Sequence, residues 1–292
     1  MALYLKKQEK KMPHIHWYPG HIAKAEKKLK EQINLVDVVI EVLDARIPES
    51  STYPEIENLI KQKPRLILLN KCDLADFEAT KKWQTKIKKD TKCPVIITSA
   101  GNTKDLNQIT NKAIELAQPA ILKLMQKGLL PRPARIMVVG MPNVGKSSII
   151  NKLIKKSKTK TGAKAGVTRQ QQWVRINPRI DLLDTPGIIP LKQEEQEKAY
   201  KLAFVNSVSE NAYEAESVAE KLIEVISSIY PDVIRKHYNI EDDKEVNVEN
   251  IALARNWIVQ GAKPDSTRAS HNLLLDFRDG RLGKLTLDKI EE

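Results

Sequence analysis

Residues 136–155 read IMVVGMPNVGKSSIINKLIK, and this stretch decides the fold. Its four leading apolar residues suit a strand that is buried on both faces of a parallel sheet. The closing segment, Ser148 to Lys155, has the spacing of a helix. Between them, Gly140 to Ser147 fits the pattern G-x-x-x-x-G-K-S, which binds phosphate when it joins a strand to a helix. An ordinary glycine turn is the alternative, and the flanking strand and helix disfavour it.

Gly140 to Ser147, the phosphate loop, indicates a task for each side chain. Small residues let backbone N–H groups wrap phosphates, and the N-terminus of the next helix adds positive potential. Lys146 is expected to reach the β- and γ-phosphates and to act in catalysis, and the Ser147 hydroxyl is expected to hold Mg²⁺. The other expected nucleotide contacts are Asn143, Val144, Gly145 and Ser148.

A second motif, Asn70-Lys71-Cys72-Asp73, ends an apolar run at Leu66 to Leu69 and is here named the base-reading loop. A carboxylate at Asp73 can accept both the N1–H and the N2 amino protons of guanine. Adenine lacks that donor pair, so a site built for guanine rejects it strongly. The stem of Lys71 can lie over the base. These features predict a preference for GTP and disfavour a general ATPase.

Thr98-Ser99-Ala100 follows the next apolar run and completes the expected contacts with the base. Backbone N–H groups of Ser99 and Ala100 would lie near guanine O6. Three residues of this kind are a weak signal alone. The series of strand, N-K-x-D, strand and S-A at this interval is much more specific.

Two further elements match the parts of a nucleotide switch. Asp184-Thr185-Pro186-Gly187 follows the strand-like run Ile180 to Leu183, so Asp184 suits a second Mg²⁺ contact and the Gly187 N–H can meet the γ-phosphate. Thr168 can place its hydroxyl on Mg²⁺ only while that phosphate is present. A simple Pro-Gly turn and a solvated loop are the alternatives. The segment Lys152 to Lys164 holds six lysines and is predicted to be a mobile loop.

The alternation of strand-like and helical patterns predicts a doubly wound α/β sheet of about six mostly parallel strands. The expected strands are 38–43, 66–69, 95–98, 135–139, 170–176 and 180–183. Helices are expected at 23–33, 55–61 and 77–89, and Gly128 to Pro133 reads as a linker. After residue 195 the pattern becomes helical, at 193–209, 213–230, 249–260 and 270–277, with a loop at 261–266. We therefore expect one domain over residues 1–195 and a small helical domain over 196–292.

Net charge is +12, and it is unevenly placed along the 292 residues. Residues 1–199 carry 37 Lys and Arg against 20 Asp and Glu, whereas residues 200–292 carry 12 against 17. A basic front of this size favours a polyanionic partner, although solubility alone is the other explanation. The two cysteines, Cys72 and Cys93, suit a reducing compartment. No apolar run is long enough to span a bilayer, so we expect a cytoplasmic protein without a membrane partner.

Together these motifs resemble the circularly permuted GTPases and, among them, the bacterial YlqF/RbgA family of ribosome biogenesis GTPases. The base-reading loop precedes the phosphate loop, which is the reverse of the order in ordinary GTPases. The resemblance covers nearly the whole chain, and its signatures are Trp17 to His21, Asp44 to Pro48, Asn70 to Asp73, Gly140 to Ser147, Gly166 to Thr168, Asp184 to Gly187 and the closing segment Leu273 to Leu287.

The resemblance implies a circularly permuted P-loop GTPase fold with a C-terminal helical domain. It implies GTP hydrolysis that the large (50S) ribosomal subunit stimulates, in late assembly of that subunit. The partners would be the subunit precursor and its rRNA, with the protein as a monomer. Because the helical tail is acidic overall, its rRNA contact is expected on a local basic face of Arg255, Lys263 and Arg268. An organelle version of the family stays open.

The same resemblance bears on the chemistry. Ras-like enzymes place a Gln directly after D-x-x-G to orient the attacking water, whereas Ile188 stands here. The family's Pro-Gly-His element makes His21 the candidate for that water, with a structural hydrogen bond as the alternative role. In similar loops an Asn at position 143 lies beside a K⁺ ion, so Asn143 is a candidate K⁺ ligand. Arg46 is expected to shape the turn after the first strand rather than to stabilise charge on the nucleotide.

A rival of a different class is a regulatory module that uses GTP to gate a protein or membrane partner with little turnover. The motif order favours coupling of some kind. Asp184 to Gly187 is the last nucleotide motif, and the chain enters the helical tail within about ten residues of it. Hydrolysis could therefore move the tail through a short covalent connection.

Overall fold

Near-continuous apolar runs form the central strands. The computed structural model describes residues 27, 29–99, 102–158, 173–183, 187–188 and 195–290. Within these residues, seven strands form one sheet in the order β3-β2-β1-β4-β6-β5, with β7 beside β4. Their bounds are β1 Val38–Asp44, β2 Arg65–Asn70, β3 Val95–Ile97, β4 Ala134–Gly140, β5 Trp173–Asn177, β6 Ile180–Leu183 and β7 Gly187–Ile188. All pairings are parallel except that of β5 with β6, which confirms the mostly parallel sheet.

Helices cover both faces of this sheet, as its buried strands require. The first half of the chain supplies α1 (29–33), α2 Ile56–Ile60, α3 Phe77–Thr91, α4 Thr103–Gln126 and α5 Lys146–Lys158. The expected helix over 23–33 is described only from residue 27, without residue 28. The expected linker at Gly128 to Pro133 has no regular secondary structure, in agreement with the prediction.

Two parts of the first half differ from the sequence prediction. The 24-residue helix α4 was not predicted; the side chain of Asn102 caps it by accepting from the Lys104 N–H. The segment Lys152 to Lys164 is not a loop throughout, because α5 continues to Lys158. Leu153 and Ile154 of this segment pack on the hydrophobic core, and this packing stabilises the helix beyond the predicted end. The remainder of that segment lies outside the described residues.

The tail is mainly helical, as predicted, and packs on the same hydrophobic core as the sheet. Its helices are α6 Gln196–Phe204, α7 Ala215–Ile229, α8 Val233–Tyr238, α9 Val248–Ala254 and α10 Ser266–Arg278. Among the described helices, none combines the length and apolar character needed to cross a membrane.

The expected helix over 249–260 and the expected loop over 261–266 were wrong in part. Helix α9 ends at Ala254 because Asn256 turns into the left-handed region, with φ of 54°. A two-stranded hairpin follows, β8 Ile258–Val259 with β9 Lys263–Pro264, and α10 then starts at Ser266. Local left-handed residues thus divided one apparent helix into a helix and a hairpin.

Candidate nucleotide site

The carboxyl ends of β2, β1 and β4 meet at one edge of the sheet. Strand β1 pairs with β2 on one side and with β4 on the other, so the chain's connections diverge at its end. Open α/β sheets bind ligands at such a switch point. The base-reading loop leaves β2 here and the phosphate loop leaves β4. The topology therefore brings two motifs that are 70 residues apart in sequence to one edge.

Backbone conformations that require glycine shape the phosphate loop. Gly140 has φ of +151°, and a Cβ there would lie 2.5 Å from the Val42 carbonyl oxygen. Gly145 has φ of +102°. Between them, the side chains of Met141 and Val144 are fully buried and anchor the loop to the hydrophobic core. The phosphate loop thus has a specific conformation that depends on two glycines and two buried side chains, and it is not a simple glycine turn.

Lys146 opens α5 and is only 6% exposed. Its Nζ donates to the carbonyl oxygen of Met141 at 2.6 Å, inside the loop's own curve. Burial lowers the pKa of Lys146 to about 8. Without an anionic partner among the described residues, the ammonium group uses a loop carbonyl, and a phosphate in the loop would offer it a better one.

The start of α5 also favours an anion. Its first turn has no acidic residue, and the side chains of Ser147 and Ser148 are exposed. Exposed hydroxyls beside the first N–H groups of a helix suit phosphate and a hydrated metal ion. Strand β7 brings Gly187 beside this loop, because Gly187 pairs with Val139 at the end of β4.

Asn70 joins the base-reading loop to the phosphate loop. It is fully buried, and its Nδ2 donates to the Val144 carbonyl oxygen at 2.8 Å. A Cβ on Gly145 would lie 2.1 Å from that same Nδ2, so only glycine fits opposite Asn70. The sequence placed Asn70 among the guanine contacts, and that role stays a prediction; the structure adds that Asn70 holds the two loops together.

Lys71 is held by a carboxylate at the end of β1. Its backbone is left-handed, with φ of 61°, and its Nζ lies 3.0 Å from Asp44 Oδ2. Asp44 is fully buried and also accepts from Arg46 Nε at 3.0 Å and Nη2 at 2.8 Å. Although burial alone would raise it, the two cations hold the pKa of Asp44 down at about 2. Arg46 thus belongs to the turn after β1, as predicted.

Asp73 and Ser99 are the other described residues that were predicted to contact the base. The side chain of Asp73 is exposed, so its carboxylate is open to a ligand. The Ser99 N–H and the Thr98 hydroxyl both donate to Asp105 Oδ2, at 3.2 and 3.1 Å. The Cys72 N–H donates to the Thr98 carbonyl oxygen at 3.3 Å, which ties the two base-side loops. Cys72 and Cys93 are both free thiols.

Sequence reasoning missed several residues that hold the site. Asp105 orients Ser99, but it lies in α4, which had not been predicted. Asp44 was assigned to the turn alone, and only its end-of-strand position hinted at its contact with Lys71. The turn after α6 was also missed: Asn143 Nδ2 donates to the Asn206 carbonyl oxygen, and Ser207 Oγ donates to the Pro142 carbonyl oxygen at 2.6 Å. No local pattern marked either contact.

The nucleotide and metal roles of all the predicted site residues stay predictions, and four of these residues lie outside the described part of the chain. These are His21, Ala100, Thr168 and Asp184.

Comparisons with known proteins agree with this geometry. Residues 135–254 match the family model of the 50S ribosome-binding GTPase. Ribosome biogenesis GTPase A of Bacillus licheniformis is 37% identical over 95% of this chain and 99% of its own. That of Thermotoga maritima is 32% identical over 94% and 95%. Mouse mitochondrial ribosome-associated GTPase 1 is 32% identical over 94% and 90%.

Solved structures show the same likeness. The GNP-bound crystal structure of YlqF from T. maritima is 28% identical, with a TM-score of 0.65 over 91% of this chain and 98% of that one. The GDP-bound structure of that protein is 29% identical, with a TM-score of 0.64 over 91% and 100%.

Proposed function

The chain belongs to the ribosome biogenesis GTPase A family, and on that premise we propose that it binds and hydrolyses GTP during late assembly of the large ribosomal subunit. The observation that carries the proposal is the hydrogen bond from Asn70 to the Val144 carbonyl oxygen, which fixes the base-reading loop against the phosphate loop. Those two loops together span a guanine nucleotide.

The roles within the site follow from what each side chain offers. Asp73 accepts the guanine N–H groups, and the Ala100 N–H is the donor for O6, because the Ser99 N–H is engaged by Asp105. Lys146 leaves the Met141 carbonyl for the β- and γ-phosphates, where its charge opposes the charge that develops during transfer. The Gly187 N–H meets the γ-phosphate from β7.

The donors around the phosphate loop suit a Mg²⁺ ion. Ser147 offers an exposed hydroxyl at the helix start, and Thr168 and Asp184 would complete the protein's contacts. Such an ion neutralises charge on the phosphates and orients them. These oxygen donors match the preference of a hard cation.

Asn143 and His21 are proposed for the remaining tasks. The Asn143 amide nitrogen is engaged by Asn206, which leaves its Oδ1 as the atom for K⁺. Because Ile188 cannot orient water, His21 is proposed to do so.

The proposed rRNA face surrounds the β8–β9 hairpin. Arg255, Lys263 and Arg268 are all exposed there. The guanidinium of Arg268 lies 5.2 Å from the Trp257 ring centroid, and that of Arg255 lies 5.1 Å from the Tyr238 ring. Guanidinium groups supported by aromatic rings present charge to phosphates in a fixed place. We propose that this face and the lysines of Lys152 to Lys164 bind the subunit, with the protein acting as a cytoplasmic monomer.

The deciding experiment measures GTP hydrolysis with and without purified large subunits, in K⁺ and in Na⁺. The proposal expects stimulation by the subunits, and co-sedimentation with them that is stronger in a non-hydrolysable GTP analogue than in GDP. A rate that subunits leave unchanged would support the GTP-gated regulatory module instead. Raised salt should weaken co-sedimentation, because phosphate contacts release counterions.

Replacing Asp73 tests the base specificity. Asp73→Asn turns one acceptor into a donor, so GDP affinity should fall about 100-fold or more and xanthosine diphosphate should gain. Asp90→Asn, on the exposed end of α3, is the matched control. Isothermal titration with both nucleotides checks this. Unchanged GDP affinity in Asp73→Asn would remove Asp73 from the site.

A further inference from the structure

The turn after α6 lies directly against the phosphate loop. Asn206 and Ser207 form this turn, and they contact Asn143 and Pro142 as described. Ser207 is 2% exposed, and its N–H donates to the Leu202 carbonyl oxygen at 2.8 Å. Asn206 is left-handed, with φ of 61°. The turn at the end of α6 is thus hydrogen-bonded to the phosphate loop at two neighbouring residues, Pro142 and Asn143.

The side chain of Arg278 holds that turn in place. Its Nε donates to the Phe204 carbonyl oxygen at 3.0 Å, and its Nη2 donates to the Ala203 carbonyl oxygen at 3.1 Å. Nη2 also donates to the Tyr213 hydroxyl at 2.9 Å. The last carbonyls of a helix lack partners within it, and a guanidinium group there satisfies them and favours the helix dipole.

The backbone at Arg278 reaches the other side of the site. Arg46 Nη1 donates to the carbonyl oxygen of Arg278 at 3.1 Å and to that of Phe277 at 3.4 Å. Arg46 is 1% exposed and its guanidinium lies 5.2 Å from the Phe277 ring centroid. The same guanidinium binds Asp44, which binds Lys71 of the base-reading loop. The end of α10 is therefore linked to the phosphate loop through the turn after α6, and to the base-reading loop through Arg46 and Asp44.

We propose that Arg278 is a positioning residue for GTP hydrolysis, which fixes the phosphate loop through its side chain and the base-reading loop through its carbonyl. The inference rests on the GTPase activity proposed above. The helical tail would then be coupled to the nucleotide site in two ways, through the short covalent connection that follows Asp184 to Gly187 and through the non-covalent contacts of Arg278. A change in the helical tail, such as contact with the subunit, would reach both ends of the nucleotide through this residue.

The test compares Arg278→Lys with Arg281→Lys in the full chain. Lysine keeps the charge but cannot bond two helix carbonyls and Tyr213 at once. Arg281 stands one turn further on, is half exposed and binds only Asp276 and Asp279 among the described residues, so its replacement is the matched control. The measurements are GDP affinity and kcat per nucleotide-binding site at saturating GTP, because loss of folded protein alone would change neither.

Arg278→Lys keeps the carbonyl that accepts from Arg46, so it removes positioning at the phosphate loop alone. It should weaken GDP binding and lower kcat per site by about 5- to 20-fold each, because a misplaced phosphate loop reduces binding and chemistry together. Arg281→Lys should stay within about twofold. Should Arg278→Lys not fold, Ser207→Ala removes only the contact with the phosphate loop. Its kcat per site should fall about threefold or more, against the buried control Ser270→Ala, whose hydroxyl bonds Ser266 far from the loop.

Two results separate the inference from the function on which it rests. If the unmodified protein hydrolyses no GTP with or without large subunits, the proposed function fails. If it hydrolyses GTP while folded Arg278→Lys and Ser207→Ala both match their controls, Arg278 does not position the site and the inference is overturned.

Discussion

At the scale of single residues, Lys146 and Asp44 show how burial and charge prepare the site. Both are buried, yet the pKa of Lys146 falls to about 8 while that of Asp44 is held at about 2. Asp44 has two cations beside it, whereas Lys146 contacts only the Met141 carbonyl oxygen among the described residues. The charge on the base side is therefore compensated within the protein, whereas Lys146 is placed to have its charge compensated by a bound phosphate, as proposed above.

Lys146 predicts a coupling of nucleotide binding to protons. In the free protein it loses its proton above pH 8, and phosphate restores the charge, so binding there takes up a proton. GDP affinity should fall about fivefold between pH 7 and pH 8.7 in the unmodified protein. Titration calorimetry in two buffers of different ionisation enthalpy measures the proton taken up.

Lys146→Met is the control for that experiment. This variant keeps the base-reading loop, so the pH profile of its GDP affinity reports every effect that does not depend on Lys146. That profile should be flat by comparison with the unmodified protein. Equal pH dependence in both proteins would show that Lys146 keeps its proton throughout.

At the scale of elements, the strands β1 and β2 carry a buried ion pair in the sheet. Arg65 Nη1 lies 3.2 Å from Glu41 Oε2, and both side chains are nearly inaccessible. Burial raises the pKa of Glu41 to about 7 even with Arg65 beside it. At neutral pH the carboxyl group of Glu41 is thus partly protonated. It lies where two central strands pair, at a position where the near-continuous apolar run would lead one to expect an apolar residue.

Glu41 predicts a loss of stability as pH rises. The folded state binds the Glu41 proton more tightly than the unfolded state, so its contribution is full below about pH 4.5 and is lost through pH 7. The free energy of unfolding in urea should therefore fall between pH 5 and pH 8, and it should fall less in Glu41→Gln. Glu57→Gln, at the exposed partner of the same arginine, is the control. Parallel profiles for Glu41→Gln and the unmodified protein would contradict this.

At the scale of the whole molecule, the segment after α10 fastens the tail to the sheet domain. The Leu285 N–H donates to the Leu74 carbonyl oxygen at 3.2 Å, and the Leu287 N–H donates to the Arg46 carbonyl oxygen at 2.7 Å. Asp288 accepts from the Ser50 N–H and hydroxyl, both at 2.8 Å, and pairs with Lys201 of α6 at 3.1 Å. One carboxylate therefore links the first strand's turn, the closing segment and the first helix of the tail.

From the contacts of Asp288 we predict that the helical tail and the sheet unfold together. Asp288→Ala leaves the Ser50 N–H and hydroxyl without their partner and leaves Lys201 only its pair with the exposed Glu197, so the free energy of unfolding should fall by about 2–4 kcal/mol. Asp279→Ala, which breaks only an exposed pair with Arg281, should cost less than about 1 kcal/mol. Urea unfolding followed by circular dichroism measures both. Equal losses in the two variants would show that Asp288 is not a fastening point.

The sequence alone determined the parts of this protein whose signals are local. The phosphate loop, the base-reading loop, the buried strands and most helix positions follow from patterns of a few neighbouring residues, because backbone propensity and burial act over that range. The reversed motif order was also visible. Helix α4 and the β8–β9 hairpin were missed because caps and left-handed residues, not periodicity, set their ends.

Only the tertiary structure decided how these parts act together. The bond from Asn70 to Val144 carried no local signal. Asp44 and Arg278 lay in signature segments that indicated none of their contacts, and Asp105 and Ser207 carried no motif at all. Their contacts join positions as much as 232 residues apart, as between Arg46 and Arg278. Such pairings depend on where the whole chain places two backbones, and no local pattern encodes that. The sequence thus determined that a guanine nucleotide fits, and the fold decided which residues hold the site for it.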